Sequence, residues 1–100
     1  MSGMRSIEPA EVRRRLDAGE TLVIIDVRED EEVAAGMIPG ARHIPMGTIP
    51  ERMNDIPKEG EVILVCRSGG RSGRVYDYLE AHGFANTKNM TGGMLAWETL

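Results

Sequence analysis

The sequence has only one cysteine, Cys66, and this scarcity excludes several kinds of chemistry. A lone cysteine cannot form a disulfide within its own chain, and without a Cys-x-x-Cys pair there is neither a dithiol redox motif nor a zinc knuckle. Neither His43 nor His82 has further ligands at metal-binding spacing, so no metal site and no cofactor is predicted. If Cys66 is functional, it reacts with a group outside its own chain.

The sequence also lacks long apolar runs and an excess of basic residues. No run is long enough to cross a bilayer, and residues 1–20 contain no apolar segment typical of a secretory signal, so we expect a cytoplasmic protein. The net charge of −4 argues against non-specific binding to nucleic acid, which needs a basic face. There is no internal repeat or linker, and 100 residues suffice for one core, so we expect a single domain over residues 1–100.

Short periodic segments alternate along the chain, separated by proline and glycine. Residues 21–26 and 61–65 are runs of mainly β-branched and aliphatic residues, which are typical of strands buried on both faces of a parallel sheet. The alternation of strands and helices predicts an α/β domain with a mostly parallel sheet. The other predicted elements are helices over 9–19, 29–35, 49–53, 72–83 and 92–100, weak strands over 42–44 and 87–89, and a type II turn at Pro39-Gly40.

Cys66 follows the second buried strand directly and opens a glycine-containing loop that leads into a helix. In a parallel sheet, ligands bind beyond the carboxyl ends of the strands. The positive end of the helix, an inward-facing nest of backbone N–H groups and the arginines at positions 67, 71 and 74 all favour a thiolate. Gly69 and Gly70 permit the positive φ that such a nest needs. The loop therefore predicts a nucleophilic thiolate and a site for an anion.

The alternative is that Cys66 is an inert, buried apolar residue, as lone cysteines often are. Glycines after a strand are often only a turn, and arginines at a helix start are usually solvated. However, an arginine cluster at a helix N-terminus is unfavourable unless an anion lies there, because it opposes the helix dipole. This conflict favours the functional interpretation.

The loop and three other segments resemble one known family. Cys66 to Ser72, with the sequence Cys-Arg-Ser-Gly-Gly-Arg-Ser, is similar to the active-site loop of single-domain rhodaneses. Asp26-Val27-Arg28, Gly36-Met37-Ile38-Pro39-Gly40-Ala41 and Gly92-Gly93 with Trp97 resemble other motifs of that family in order and spacing. The resemblance spans nearly the whole chain. Met37 stands where the family often has histidine, at a position we interpret as structural.

The resemblance implies a fold, an activity and a set of site residues. The fold is a rhodanese-like, three-layer α/β/α domain with a five-stranded, mostly parallel sheet. The activity is that of a thiosulfate sulfurtransferase, in which Cys66 attacks a small anionic donor such as thiosulfate, releases sulfite, and passes its persulfide sulfur to a thiol or cyanide. Cys66 is then the catalytic residue, and the substrate-binding residues are Arg67, Ser68, Gly69, Gly70, Arg71 and Ser72.

Two other functions remain open at this point. One is a persulfide carrier or sensor module that partner proteins load and unload. The other is a phosphatase or arsenate reductase, but related enzymes of that type have five residues between cysteine and arginine. Here four residues separate Cys66 from Arg71, so the ring of N–H groups is tighter and better matched to one sulfur atom.

Asp26 and Arg28 are candidates for a supporting role beside the loop. Asp26 lies at the end of the first buried strand and could orient the loop. The alternative is a structural ion pair or hydrogen bond between Asp26 and Arg28. Arg28 and Glu32 are four residues apart, which is the spacing of an ion pair between neighbouring side chains on a helix.

Arg67 bears on the choice of donor, because it follows the nucleophile directly. The resemblance implies thiosulfate, since family members with that preference tend to carry basic residues in the loop, whereas those that prefer mercaptopyruvate usually have a small residue here. A guanidinium can steer the compact dianion and stabilise the departing sulfite. The alternative is that Arg67 points to solvent and only raises the local potential.

Overall fold

The computed structural model describes residues 3–100 of the chain and contains one five-stranded sheet. The strand order is β1-β5-β4-β2-β3, and all four neighbouring pairs are parallel. This confirms the predicted fold class. The strands are β1 (Ser6–Ile7), β2 (Val23–Asp26), β3 (Arg42–His43), β4 (Val62–Val65) and β5 (Thr87–Met90).

Helices cover both faces of the sheet. Alternate residues of the central strands face opposite sides, and both sets are apolar and buried. Ile25 and Leu64 belong to one buried cluster, together with residues of the long helix after β4. Ile24 and Ile63 belong to a second cluster, on the opposite face. The helices are α1 (Pro9–Asp17), α2 (Asp30–Val33), α3 (Gly70–Ala81) and α4 (Gly93–Trp97), with 3₁₀ segments at Met46–Glu51 and Met53–Asp55. None of the helices within residues 3–100 is both long and apolar enough to cross a membrane.

Several details differ from the sequence prediction. The short helix predicted over 49–53 is present as parts of the two 3₁₀ segments, which are separated by Arg52, and Pro50 inside the first of them has no N–H to donate. Strand β1 was not predicted from periodicity, because two residues are too few to show any. Helix α3 begins at Gly70, two residues before the predicted start.

The sheet register brings together the residues that matter for the site. β2 and β4 are neighbours, with Asp26 opposite Val65, so Asp26 and Cys66 lie at the same edge of the sheet. β5 lies on the other side of β4, with Asn89 opposite Leu64. Three strands therefore bring Asp26, Cys66 and Asn89 to the carboxyl edge, where parallel sheets bind ligands.

Candidate active site

Cys66 lies at the base of a short loop between β4 and α3, and its side chain is buried, with 1% of the residue exposed. The Gly69 N–H donates to the Cys66 Sγ atom at 3.1 Å, and the Ser72 Oγ atom lies 3.2 Å from the same sulfur. The N–H groups of Ser68 and Ser72 also help to lower the pKa of the thiol. The loop therefore curls around the sulfur as a nest of donors, at the N-terminal end of a twelve-residue helix.

The N-terminus of α4 keeps the loop in this conformation. The N–H of Met94 donates to the Cys66 carbonyl at 2.8 Å, and the N–H of Leu95 donates to the Arg67 carbonyl at 3.0 Å. Because these two carbonyls are held outward, the N–H groups of the peptides that they belong to face the opposite way, toward the interior of the loop. These two hydrogen bonds give acceptors to N–H groups in the first turn of α4, which have no partner within the helix, and they also shape the nest.

Only one of the two loop glycines needs its conformational freedom. Gly69 has φ of +102° and is the N-cap of α3, in the left-handed region that favours glycine. Gly70 has no positive φ and is the first residue of the helix. The expectation that both glycines supply positive φ therefore holds for Gly69 and is wrong for Gly70.

The hydrogen bonds at the sulfur decide its acidity. Burial by itself raises the pKa of the Cys66 thiol, because it disfavours the charged form. The Ser72 hydroxyl and the N–H groups of Ser72, Gly69 and Ser68 act in the opposite direction and outweigh burial, so the pKa of Cys66 lies below its ordinary value. The thiolate is thus stabilised mainly by neutral donors within the loop. The sequence predicts a further contribution from the arginines, which are not among these donors.

We expect the pKa of Cys66 to lie below the ordinary value of a free cysteine thiol, because the loop donors stabilise the thiolate. The thiolate is the reactive form, so the alkylation rate should rise with pH and reach half of its maximum at this pKa. The measurement is the rate of iodoacetamide modification across a pH series, read by intact mass. Since Cys66 is the only cysteine, the Cys66→Ser variant supplies the blank. A midpoint at or above the ordinary value of a free cysteine thiol would contradict the expectation.

Arg71 forms a two-point ion pair with Glu32 of α2, with both N···O distances at 2.7 Å. This pair joins the start of α3 to the segment that follows β2. Hydrogen bonds from the Arg71 side chain and the Glu29 N–H lower the pKa of Glu32 to about 2. Both side chains are about a quarter exposed, so solvent screens the pair. The Arg71 guanidinium is therefore already occupied by a carboxylate and borders the site as a paired charge.

Arg67 and Arg74 are arranged differently from Arg71. Both are exposed, and within residues 3–100 neither makes an ion pair. Arg67 borders a cavity of about 190 Å³ beside the loop. Arg67 is thus the arginine next to Cys66 whose guanidinium is available to an anion. The cavity is lined by Arg28, Glu32, Arg67, Met94, Leu95 and Glu98.

Asp26 and Arg28 form a buried ion pair, as the structural alternative held. The Arg28 Nε and Nη2 atoms donate to the Asp26 carboxylate, at distances down to 2.8 Å, and the backbone N–H of Arg28 donates to the same group. Arg28 also donates to the Gly36 carbonyl at 2.7 Å. It reaches only the backbone carbonyl of Glu32, at 3.5 Å, so the expected side-chain pair of Arg28 and Glu32 is wrong. The Asp26–Arg28 pair braces the segment after β2.

Sequence analysis missed three contributors to the site. Glu32 was assigned to Arg28, whereas its carboxylate binds Arg71. Asn89 was not considered, although it lies near the carboxyl end of a strand, which is the signal that drew attention to Asp26. Gly93 was named only as part of the Gly92-Gly93 motif and was given no role, whereas it packs so closely on the loop that an added Cβ atom would lie 2.5 Å from the Cys66 carbonyl oxygen.

The comparisons with known proteins agree on one family. The family model described as "Rhodanese-like domain" matches residues 8–100. "Putative sulfurtransferase YtwF" of Bacillus subtilis is 52% identical over 95 residues, covering 95% of this chain and 91% of that protein. A protein of Allochromatium vinosum named "Sulfurtransferase" is 39% identical over 94 residues, covering 94% of this chain and 88% of that protein.

A solved structure extends the agreement to three dimensions. The crystal structure of a rhodanese-like domain protein from Staphylococcus aureus superimposes with a TM-score of 0.88 at 45% sequence identity. The match covers 94% of this chain and 91% of that chain. The similarity therefore includes nearly all of the sheet, the loop and the helices described above.

Proposed function

Because the chain belongs to the rhodanese-like domain family, we propose that it is a sulfurtransferase that moves a sulfane sulfur through a persulfide on Cys66. The names of its relatives support a sulfurtransferase activity in general. The observation that carries the finer proposal is the nest at the sulfur, where the Gly69 N–H and the Ser72 hydroxyl converge on the Cys66 Sγ atom. Donors that converge on Sγ stabilise the Cys66 thiolate before it attacks the donor and again when it leaves in the second half-reaction.

The reaction proceeds in two half-reactions. The Cys66 thiolate attacks the outer sulfur of thiosulfate; a bond from Sγ to that sulfur forms, the sulfur–sulfur bond of the donor breaks, and sulfite leaves with the bonding electron pair. A thiol or cyanide then attacks the outer sulfur of the persulfide, and the Cys66 thiolate leaves. No metal or cofactor takes part in this scheme. We also propose that the chain acts as one domain in the cytoplasm, where thiol acceptors stay reduced.

Mass spectrometry of the purified protein tests the proposal directly. We expect thiosulfate to increase the intact mass by one sulfur atom, and cyanide to remove this atom with formation of thiocyanate. No mass increase, together with turnover of an aryl phosphate or arsenate, would overturn the proposal in favour of the oxyanion enzymes. A persulfide that forms but turns over slowly with thiosulfate would instead identify a carrier module loaded by partner proteins.

The donor is proposed to be thiosulfate, with Arg67 in contact with it. We expect Arg67→Ala to lower kcat/KM for thiosulfate by roughly tenfold or more, because the variant loses the unpaired guanidinium next to the nucleophile. The loss for mercaptopyruvate should be smaller, since its single carboxylate lies further from the transferred sulfur. The measurement is steady-state kinetics with both donors over a salt series, in which a charge contact weakens as salt rises.

Arg74→Ala is the matched control for Arg67→Ala. Arg74 is also an exposed arginine near the start of α3, but it lines a different groove, beside Met46 and Tyr78. We expect this variant to change kcat/KM by less than about threefold, as for a screened surface charge. Equal losses in both variants would reduce Arg67 to a general electrostatic role. A preference of the unmutated protein for mercaptopyruvate would overturn the choice of donor.

A further inference from the structure

Asn89 lies on β5 beside the active-site loop and is buried, with 8% exposed. Its Nδ2 atom donates to the Gly69 carbonyl at 3.1 Å, and its Oδ1 atom accepts from the Ser72 hydroxyl. Asn89 therefore contacts Gly69 and Ser72, the two residues that hydrogen-bond to the Cys66 sulfur, without touching the sulfur itself.

The orientation of the Asn89 amide follows from its partners. The Gly69 carbonyl only accepts hydrogen bonds, so the amide nitrogen must face it, and the amide oxygen must face Ser72. An amide oxygen cannot donate. The contact between Asn89 and Ser72 thus exists only when the proton of the Ser72 hydroxyl points to Asn89.

The same hydroxyl faces a second acceptor, the Cys66 Sγ atom at 3.2 Å. A hydroxyl has one proton and cannot donate fully to both acceptors. When Cys66 is a thiol, its S–H can donate to the Ser72 oxygen, while the Ser72 hydroxyl keeps donating its own proton to the Asn89 oxygen. When Cys66 is a thiolate, the sulfur needs this proton, and the buried Asn89 oxygen loses its donor, which is costly.

We propose that Asn89 is a positioning residue that competes with the Cys66 sulfur for the proton of the Ser72 hydroxyl. The competition favours the states in which Sγ carries no charge. These are the thiol and, on the proposed function, the persulfide, whose negative charge lies on the outer sulfur. Without Asn89, the loop donors would stabilise the free thiolate more strongly. By lowering the stability of the thiolate, Asn89 favours its conversion to the persulfide.

Neutral groups decide the direction of this proton, although charged groups surround the loop. The carboxylate of Glu32 is held by Arg71, and that of Asp26 by Arg28. On the β1 side, the Arg5 guanidinium is directed to Glu80 and to the Thr87 carbonyl, and Met4 contributes a sulfur atom 3.4 Å from the Asn89 Nδ2 atom. The remaining charges at the rim are Arg67, Arg74 and Glu98, and none of them hydrogen-bonds to Ser72 or Asn89 within the described residues.

A double-mutant cycle between Asn89 and Ser72 tests the proposal. The pKa of Cys66 is read from the ultraviolet absorbance of the thiolate, which needs neither a sulfur donor nor access of a reagent to the buried sulfur. We expect Asn89→Leu to lower the pKa of Cys66 by about 0.5 to 1, because the Ser72 proton becomes free to donate to the sulfur. Ser72→Ala should raise the pKa, because the hydroxyl donor is lost.

The decisive result is the effect of Asn89→Leu in the Ser72→Ala background. With no hydroxyl proton to compete for, we expect the pKa of Cys66 to change by less than about 0.2 in this background. An equal change in both backgrounds would show that Asn89 acts through the Gly69 carbonyl and would overturn the proposal, as would a rise of the pKa in Asn89→Leu alone. Asn89→Ala repeats the cycle if the leucine variant does not fold. Because sulfur transfer is not measured, a failure of the proposed function would leave this readout unchanged.

Discussion

Replacing Cys66 with serine is expected to abolish sulfur transfer and leave the fold intact. The substitution is nearly isosteric, and a serine oxygen can still accept the hydrogen bond that the Gly69 N–H donates to the sulfur. A hydroxyl has no comparable chemistry for accepting a sulfane sulfur at neutral pH, so neither half-reaction can proceed. The measurement is thiocyanate formation from thiosulfate and cyanide, with the thermal unfolding midpoint recorded for the same preparation.

The composition of the chain makes this test unambiguous. No other cysteine is present that could take over the reaction. We expect the change in unfolding free energy to stay within about 1 kcal/mol, because no cavity is created and no buried donor is left without an acceptor. Thiocyanate formation by Cys66→Ser at the rate of the unmutated protein would refute the assignment of Cys66 as the nucleophile.

Gly93→Ala is expected to cause the largest loss among substitutions outside the loop. Gly93 has φ of +58°, and an added Cβ atom would lie 2.5 Å from the carbonyl oxygens of Cys66 and Arg67. These are backbone atoms, so α4 or the loop must move. We expect a loss of roughly 2–4 kcal/mol in unfolding free energy from overpacking and left-handed strain together. Activity should fall by about a hundredfold or more, because the nest is displaced from the sulfur.

Gly40→Ala separates the clash from the backbone strain. Gly40 also has a positive φ, of +82°, but an added Cβ atom there would have no neighbour within 4 Å. This control should lose about 1–2 kcal/mol from strain alone and keep its activity within about twofold. Chemical denaturation and steady-state kinetics on both variants measure the difference. If Gly93→Ala behaved like Gly40→Ala, α4 would not be shaping the loop.

Sequence analysis predicted the central elements well because their signals are local. Residues 21–26 and 61–65 read as buried strands, and the structure has β2 and β4 there, with side chains packed on both faces. The turn at Pro39-Gly40 was also predicted, and the Ala41 N–H donates to the Ile38 carbonyl across it. In each case the side chains of a few consecutive residues determine the local backbone.

The prediction of a partner for Glu32 failed because its partner is distant in the sequence. Glu32 and Arg71 are 39 residues apart, and their ion pair follows from the packing of α2 beside the loop. Helical spacing offered Arg28 as the partner of Glu32, but the carboxylate of Asp26, only two residues from Arg28, takes its guanidinium instead. Periodicity indicates which face of an element is buried, but it does not identify the residue that this face meets.

By itself, the sequence determined the α/β fold class, and it pointed to Cys66 as the proposed nucleophile and to the loop that surrounds it. These follow from neighbouring residues: a buried strand, Cys66, a glycine that can adopt positive φ, and a helix start. Only the tertiary structure decided which groups complete the nest. The strand order brings Asn89 to Ser72, and the packing of α4 brings Gly93 onto the loop. The physical reason is that a hydrogen bond or close contact between distant residues depends on how whole elements stack, which no local pattern of side chains records.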